Sequence, residues 1–176
     1  MALLRPNPAK TLEFDIIVRD DQVGELSVER HFKDEETIYT SHSTTKARIM
    51  FGVTVEVRQE VRFEDGIMTY AHSVTRVNGE EHKKTEIKKN GPGYVAIING
   101  DRKKIDNPVK YSVIQMYFEA PNQRTQVFSE HEGRFHSLQR KSAVKYVKIN
   151  NKGDENYYTY GKQYLDFADV DAGWYR

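Results

Sequence analysis

Short alternating runs divided by turn residues dominate this chain, and that punctuation limits it to β structure built from hairpins. From residue 12 onward, separators recur at Asp20-Asp21, Lys33-Asp34-Glu35, Asp65-Gly66, Asn78-Gly79, Asn90-Gly91-Pro92-Gly93, Asn99-Gly100, Glu132-Gly133 and Asn150-Asn151-Lys152-Gly153. Asn-Gly and Asp-Gly supply the positive φ values of tight hairpin turns, so consecutive strands are predicted to pair antiparallel in a meander. The spacing predicts strands over 12–18, 22–32, 36–49, 53–64, 67–77, 80–89, 94–98, 101–105, 125–131, 134–140, 143–149, 155–160 and 163–169. Within 53–64, Val53, Val55, Val57, Val61 and Phe63 share one parity, while Thr54, Glu56, Arg58, Glu60, Arg62 and Glu64 share the other. That is a half-buried strand with one wet face, and Gln59 alone interrupts its apolar side.

Composition points the same way. Val, Ile, Thr, Tyr, Phe and Trp make 58 of the 176 residues, against 19 for Leu, Ala and Met. Side chains branched or bulky at Cβ fit a pleated surface and lose rotamer freedom on a helix. At 20.5 kDa a single β domain over 11–176 is expected, with residues 1–10 as a flexible arm in which Pro6 and Pro8 prevent a helix. Runs as long as 36–49, 53–64 and 67–77 twist and curl. The expected fold is therefore mainly all-β, a long curved antiparallel meander forming a barrel or half-barrel. Strand 80–89, whose one aliphatic residue is Ile87, reads as a charged edge ribbon.

Residues 106–121 break the pattern. Asp106-Asn107-Pro108 is suited to capping and starting a helix and Pro121 to stopping it, with Val109, Val113, Met116, Tyr117 and Ala120 on one helical stripe. The competing strand reading sets Val109, Tyr111, Val113 and Tyr117 on one parity and has β-branching in its favour. One short helix near 108–120, plugging a concave sheet, is the expectation taken from capping and length.

Several function classes lose their footing on charge and motifs. The 27 Lys and Arg nearly balance 26 Asp and Glu, so no overall field draws the chain to nucleic acid or an anionic membrane. No apolar run approaches the roughly 18 residues a membrane-spanning helix needs, and a soluble chain is expected. The absence of cysteine removes disulfides, thiolate nucleophiles and Cys-bound metal. His31, His42, His72, His82, His131 and His136 form no H-x-H, H-x-x-H or H-E-x-x-H pair, so no metal is expected. There is no G-x-S-x-G nucleophile motif, and the densest carboxylates, Asp34-Glu35-Glu36 and Glu80-Glu81, fall at solvated turns. Asn90-Gly91-Pro92-Gly93 lacks the helix and the Lys-Ser or Lys-Thr of a phosphate loop. No catalytic residue and no cofactor are expected. Lys83, Lys84, Lys88, Lys89, Arg102, Lys103 and Lys104 around Tyr94 suggest a basic ribbon of the kind that binds single strands. Glu80, Glu81, Glu86, Asp101 and Asp106 dilute it, so no nucleic-acid partner is expected.

Leu12-Glu13-Phe14-Asp15-Ile16, Val23-Gly24-Glu25-Leu26 and the block from Pro108 to Pro121 resemble a family of uncharacterised small β proteins, mostly from Bacteroidetes-type bacteria and known only as a domain of unknown function. The resemblance covers about residues 12–172. The opening hairpin with V-G-x-L, the long meander and the short helix are also similar in architecture to the half-barrel of outer-membrane lipoprotein carriers. Members of the first family usually begin with an export signal, which this N-terminus lacks, and usually carry a further strand after the final glycine. The ending Gly173-Trp174-Tyr175-Arg176 implies a short last strand or a cut chain. The resemblance implies the fold and a periplasmic or cell-envelope location, and no catalytic residues.

Tyr157, Tyr158, Tyr160, Tyr164, Phe167, Trp174 and Tyr175 crowd the C-terminal region, either as sheet faces that use the apolar body and wet tip of Tyr or as the wall of an apolar cavity. The expected function is a non-enzymatic binding or carrier protein for a lipid-like or other apolar molecule. Its candidate ligand-binding residues are Val53, Val55, Val57, Val61 and Phe63 on the concave face, with Val113, Tyr117 and Phe118 in the cover. A structural or protein-interaction module with a filled core is the alternative, and an unrecognised hydrolase the third reading. The oligomeric state stays open.

Overall fold

The computed structural model describes residues 9–47 and 52–170. Among them thirteen strands form two antiparallel sheets. In the first, β1 (Lys10–Val18), β2 (Asp21–Lys33), β3 (Glu36–Ala47), β4 (Val53–Glu64), β5 (Ile67–Val77), β6 (Glu80–Asn90), β7 (Gly93–Ile98) and β8 (Asp101–Ile105) pair in chain order. In the second, β9 (Gln126–Ser129), β10 (Arg134–Arg140), β11 (Lys145–Ile149), β12 (Glu155–Tyr160) and β13 (Leu165–Asp169) do the same. Every predicted strand is present, and the hairpin turns carry the positive φ values their sequences imply, as at Asn78-Gly79 and Asn99-Gly100. The arm expected at residues 1–10 lies outside the described residues up to position 8, and Lys10 already belongs to β1. Positions 48–49, Trp174, Tyr175 and the ending from Gly173 to Arg176 also fall outside them.

Neither sheet closes. Among the described strands β1 and β8 each have a single neighbour, so the closed-barrel form of the expectation gives way to open sheets. Just after β8 the chain leaves the sheet edge and turns back over one face. There the Val109 N–H donates to the Tyr94 hydroxyl (3.1 Å), and Met68 N–H donates to the Val109 carbonyl (2.9 Å).

The chain forms two compact units. The first comprises the described residues up to Lys110 together with Glu130–Gly133. Register gives its sheet two distinct faces. One apolar face is built by rows such as Tyr39, Val61, Ala71, Ile87 and Ala96, which lie opposite one another across five strands. The other is charged, with His42, Arg58, Val74 and Lys84 forming one such row. On the apolar face Val61, Met68, Ile87 and Ala96 are fully buried and Phe63 nearly so. Each large side chain removed from water in this way contributes roughly 1.5–3 kcal/mol. Tyr39 and Phe63 meet edge to face at 5.9 Å.

The second unit comprises residues 111–129 and the described residues from Arg134. Tyr146 and Tyr160 stack edge to face at 5.6 Å, as do Phe128 and Phe135 at 5.1 Å. Burial pushes the Tyr111 and Tyr160 phenols well above their ordinary pKa, and both are hydrogen-bond donors: Tyr111 to the Glu119 carbonyl (2.6 Å), Tyr160 to the Met116 carbonyl (2.8 Å). These two bonds fasten the segment containing the chain's short helix.

That helix is shorter and tighter than the residues predict. In place of a helix over 108–120 there is a five-residue 3-10 turn, Val113–Tyr117. Gln115 N–H donates to the Ser112 carbonyl and Phe118 N–H to the Gln115 carbonyl, the i to i−3 pattern. The cap is Ser112, whose N–H donates to Gln115 Oε1 (2.9 Å), and not the Asp106-Asn107-Pro108 group. The residues between are already engaged elsewhere: Val109 with Tyr94 and Met68, and the Tyr111 carbonyl with Phe128 N–H (3.0 Å). Extended partners claim the backbone groups a helix would have used, as the β-branched residues of this stretch favour.

Candidate functional site

The apolar face of the first sheet is divided. Toward the β4 C-terminus, Val61 and Phe63 are buried with Tyr39, Met68 and Ala71. Toward the β4 N-terminus, Val53, Val55 and Val57 are only half-buried. The half-buried region extends across the sheet, because Val57 lies opposite Ser43, Ser43 opposite Leu26, and Leu26 opposite Phe14. Leu12, Phe14, Ile16 and Val18 alternate as the half-buried parity of β1, and Leu26 is half-buried on β2. The result is a patch of aliphatic and aromatic side chains on strands β1 to β4 that the rest of its unit leaves partly open to water.

A polar row marks the division. Ser41, Gln59, Ser73 and Thr85 lie opposite one another on β3, β4, β5 and β6. Ser41 Oγ donates to Gln59 Oε1 (3.1 Å), and Gln59 Nε2 donates to Ser73 Oγ (3.5 Å). Ser73 Oγ lies 3.2 Å from His131 Nδ1, and Thr85 Oγ1 donates to the His131 carbonyl (3.0 Å). His131 sits on the short segment Glu130–Gly133. Two further contacts hold that segment to the same face: Lys103 Nζ donates to the Gly133 carbonyl (3.1 Å), and the Gly133 Cα lies in a niche bounded by Ile98, Ala96 and Ile87. The row therefore serves as a hydrogen-bonded anchor for the segment that covers one part of the face. Buried polar groups of this kind stabilise only when each has a partner. Thr85→Val keeps the shape of a fully buried side chain but deprives the His131 carbonyl of its donor. It is expected to cost about 1–2 kcal/mol in chemical denaturation, while an exposed control such as Thr11→Val changes little.

Ser73 and His131 are the residue types of a nucleophile and base pair, 3.2 Å apart. The serine is 1% exposed in the middle of β5, and its hydroxyl is occupied by Gln59 and His131. An attacking serine needs open space before its oxygen for the reacting carbon, and an oxyanion site beside it.

The opposite, charged face carries a groove of about 540 Å³ across β2 to β5, lined among others by Glu29, His42, Arg58, Glu60, His72 and Arg76. Three of its lining residues, His42, Arg58 and Glu60, are paired with oppositely charged neighbours. Glu56 accepts from His42 Nε2 (2.9 Å) and Arg58 Nε (2.6 Å), while Glu60 pairs with Arg62 (2.6 Å). The Arg58 hydrogen bond holds the Glu56 carboxyl below its ordinary pKa against partial desolvation, and His42 adds to the effect. Exposed pairs of this kind contribute little to stability. Among the described residues no three His, Asp or Glu side chains assemble as a metal site.

Of the residues singled out from the sequence, Val53, Val55, Val57, Val61 and Phe63 share the apolar face of β4 in the first unit. Val113, Tyr117 and Phe118 belong to the second unit, where Phe118 is buried against Tyr164 with ring centroids 6.5 Å apart and the other two are half-buried. Among the crowded aromatics, Tyr158 and Tyr160 are core, while Tyr157 and Phe167 remain exposed. The anchoring row was missed. Gln59 was visible as an interruption, but Ser41, Ser73 and Thr85 become its neighbours only once the register of three hairpins is known.

An all-β protein made of two open antiparallel sheets, with a half-covered apolar face and a charged face on its first sheet, is the class this chain defines. No helix among the described residues is long and apolar enough to cross a membrane. Residues 14–176 match the model of a domain of unknown function, DUF6134, and the chain belongs to that family. No curated protein and no solved structure matches it.

Proposed function

We propose that the first unit is a non-enzymatic binding or carrier module that holds a lipid-like or other apolar molecule against strands β1 to β4. One observation carries this reading: a single continuous apolar face is covered on one side of the Ser41–Gln59–Ser73–Thr85 row and half-open on the other, where Phe14, Ile16, Leu26, Val55 and Val57 lie. Contiguous open apolar surface on a folded protein marks a site of association. An acyl chain laid there gains about 0.8 kcal/mol for each methylene removed from water. The resemblance read from the sequence, to a family whose members usually begin with an export signal, supports an envelope location. The buried state of Ser73 supports a non-enzymatic role.

The test uses a fluorescent fatty acid as probe, together with native mass spectrometry of the protein extracted with its co-purified lipids. Leu26→Asp combined with Val57→Asp should weaken probe binding about tenfold or more, equivalent to about 1.4 kcal/mol, while the unfolding transition stays cooperative. Probe affinity that is unchanged by the pair, or absent in the unaltered protein, would defeat the carrier reading in favour of a protein-interaction module.

A further inference from the structure

The two edges of the first sheet carry opposite charge on the same face. On β1, the parity facing away from the apolar side presents Glu13 and Asp15, and Asp15 lies directly opposite Glu25, a like-charged pair that costs stability. Gln22 Nε2 donates to Asp15 Oδ1 (2.7 Å), which fixes this carboxylate without neutralising it. On β8, the same face presents Arg102 and Lys104, both exposed and lying opposite Ile97 and Val95. Acids on one edge and bases on the other each discourage an edge from pairing with its own copy. They do not discourage the two edges from pairing with each other.

The backbone is in phase for that pairing. Eight strands, all antiparallel, leave β1 and β8 running in opposite directions, so a second copy continuing the sheet in the same orientation brings its β8 antiparallel to β1. Both edge hairpins close on two-residue turns with positive φ at both positions, Arg19-Asp20 and Asn99-Gly100. The closing pairs Val18 with Asp21 and Ile98 with Asp101 are thus the hydrogen-bonded type. The inward and outward backbone groups alternate along β8, and along β1 as well because the extra residue of the bulge near Ile16 is Val23, on β2. The backbone groups of Glu13 and Asp15 on β1, and of Arg102 and Lys104 on β8, consequently point outward. The register that sets Lys104 of one copy opposite Glu13 of the next, and Arg102 opposite Asp15, is also one in which those pairs exchange main-chain hydrogen bonds. It places Ile105 opposite Leu12 on the apolar face.

We propose that this surface is a self-association interface, with β8 of one copy adding to β1 of the next through main-chain pairing and these two charge pairs. The contact is head-to-tail, so it builds an open chain of copies or a ring.

Light scattering on the full chain tests this. The mass should rise above the 20.5 kDa of one copy as concentration increases at low salt. It should fall back in roughly 1 M salt, where screening shortens to about 3 Å. Glu13→Lys with Asp15→Lys makes both edges basic, and Arg102→Glu with Lys104→Glu makes both acidic. Each variant alone should associate about tenfold more weakly or less, and a one-to-one mixture should recover association because one variant's β1 then matches the other's β8. Thermal melts monitored by circular dichroism confirm that each variant is folded. Should either reversal fail to fold, Glu13→Gln with Asp15→Asn replaces it, with weakened association expected. A protein that stays at the mass of one copy up to millimolar concentration, a reversed edge that associates as before, or a mixture of folded reversal variants that stays dissociated overturns the proposal.

Discussion

Val61→Asp is expected to leave the first unit unfolded at room temperature. Val61 is fully buried between Tyr39 on β3 and Ala71 on β5, and the ladder partners of β4 already use its backbone groups. Its two row neighbours, Tyr39 and Ala71, offer an aspartate there neither water nor a cation. An uncompensated buried charge costs about 3–5 kcal/mol, and loss of the buried isopropyl group adds roughly 1.5 kcal/mol or more. A domain with about 5–15 kcal/mol in total has little left after that. Val57 shares the parity of Val61 but lies beyond the Gln59 row and is half-buried, so Val57→Asp reaches water and should cost about 1 kcal/mol. Urea unfolding followed by circular dichroism reads both. Equal losses would show that the face is not divided as described.

The pair of substitutions also shows where sequence reading stopped. Alternation identifies a face but not what covers it. Val53, Val55, Val57, Val61 and Phe63 are equivalent by period, yet the structure buries only the last two, because Val109 and the segment around His131 lie over one part of the sheet and both come from distant positions in the chain. The strands themselves were legible because each hairpin carries its own signal within a few residues. The turn at Asn78-Gly79 pairs β5 with β6 through its own positive φ values, and hydrogen bonds between Asn78 and Thr54 add a tie to β4. The helix was the weakest expectation for the converse reason. Its cap and stop signals are local, but the outcome at Val109 and Tyr111 was decided by Tyr94, Met68 and Phe128, partners that no local window contains. The strand read as a charged edge, 80–89, is β6 and lies between β5 and β7, and the charged edges are β1 and β8. Their complementarity depends on strand count and hydrogen-bond phase, which follow from the topology of the complete sheet.

Substitution at Gly93 is expected to be the most damaging glycine change in the β6–β7 hairpin, although nothing about its φ requires glycine. A Cβ placed there would stand 2.2 Å from the Ile105 carbonyl oxygen and 3.2 Å from the Asp106 Cα, both backbone atoms of the neighbouring chain. Backbone cannot rotate aside as the end of a side chain does, so β7 and β8 must separate where Tyr94 and Ile105 are packed as a cross-strand pair. Separation there also pulls the Tyr94 hydroxyl from the Val109 N–H and loosens the crossing that covers the face. Gly93→Ala should therefore cost about 3 kcal/mol, the upper end of what overpacking a tight site produces. Gly91, two residues earlier in the same turn, presents the opposite case. It adopts φ +63° with no atom within 4 Å of an added Cβ, so Gly91→Ala is opposed only by backbone strain, about 1 kcal/mol. Thermal unfolding of the two single alanine variants separates the causes. A Gly93→Ala protein as stable as Gly91→Ala would mean that the β7–β8 strands are not in the close contact on which the covered half of the sheet depends.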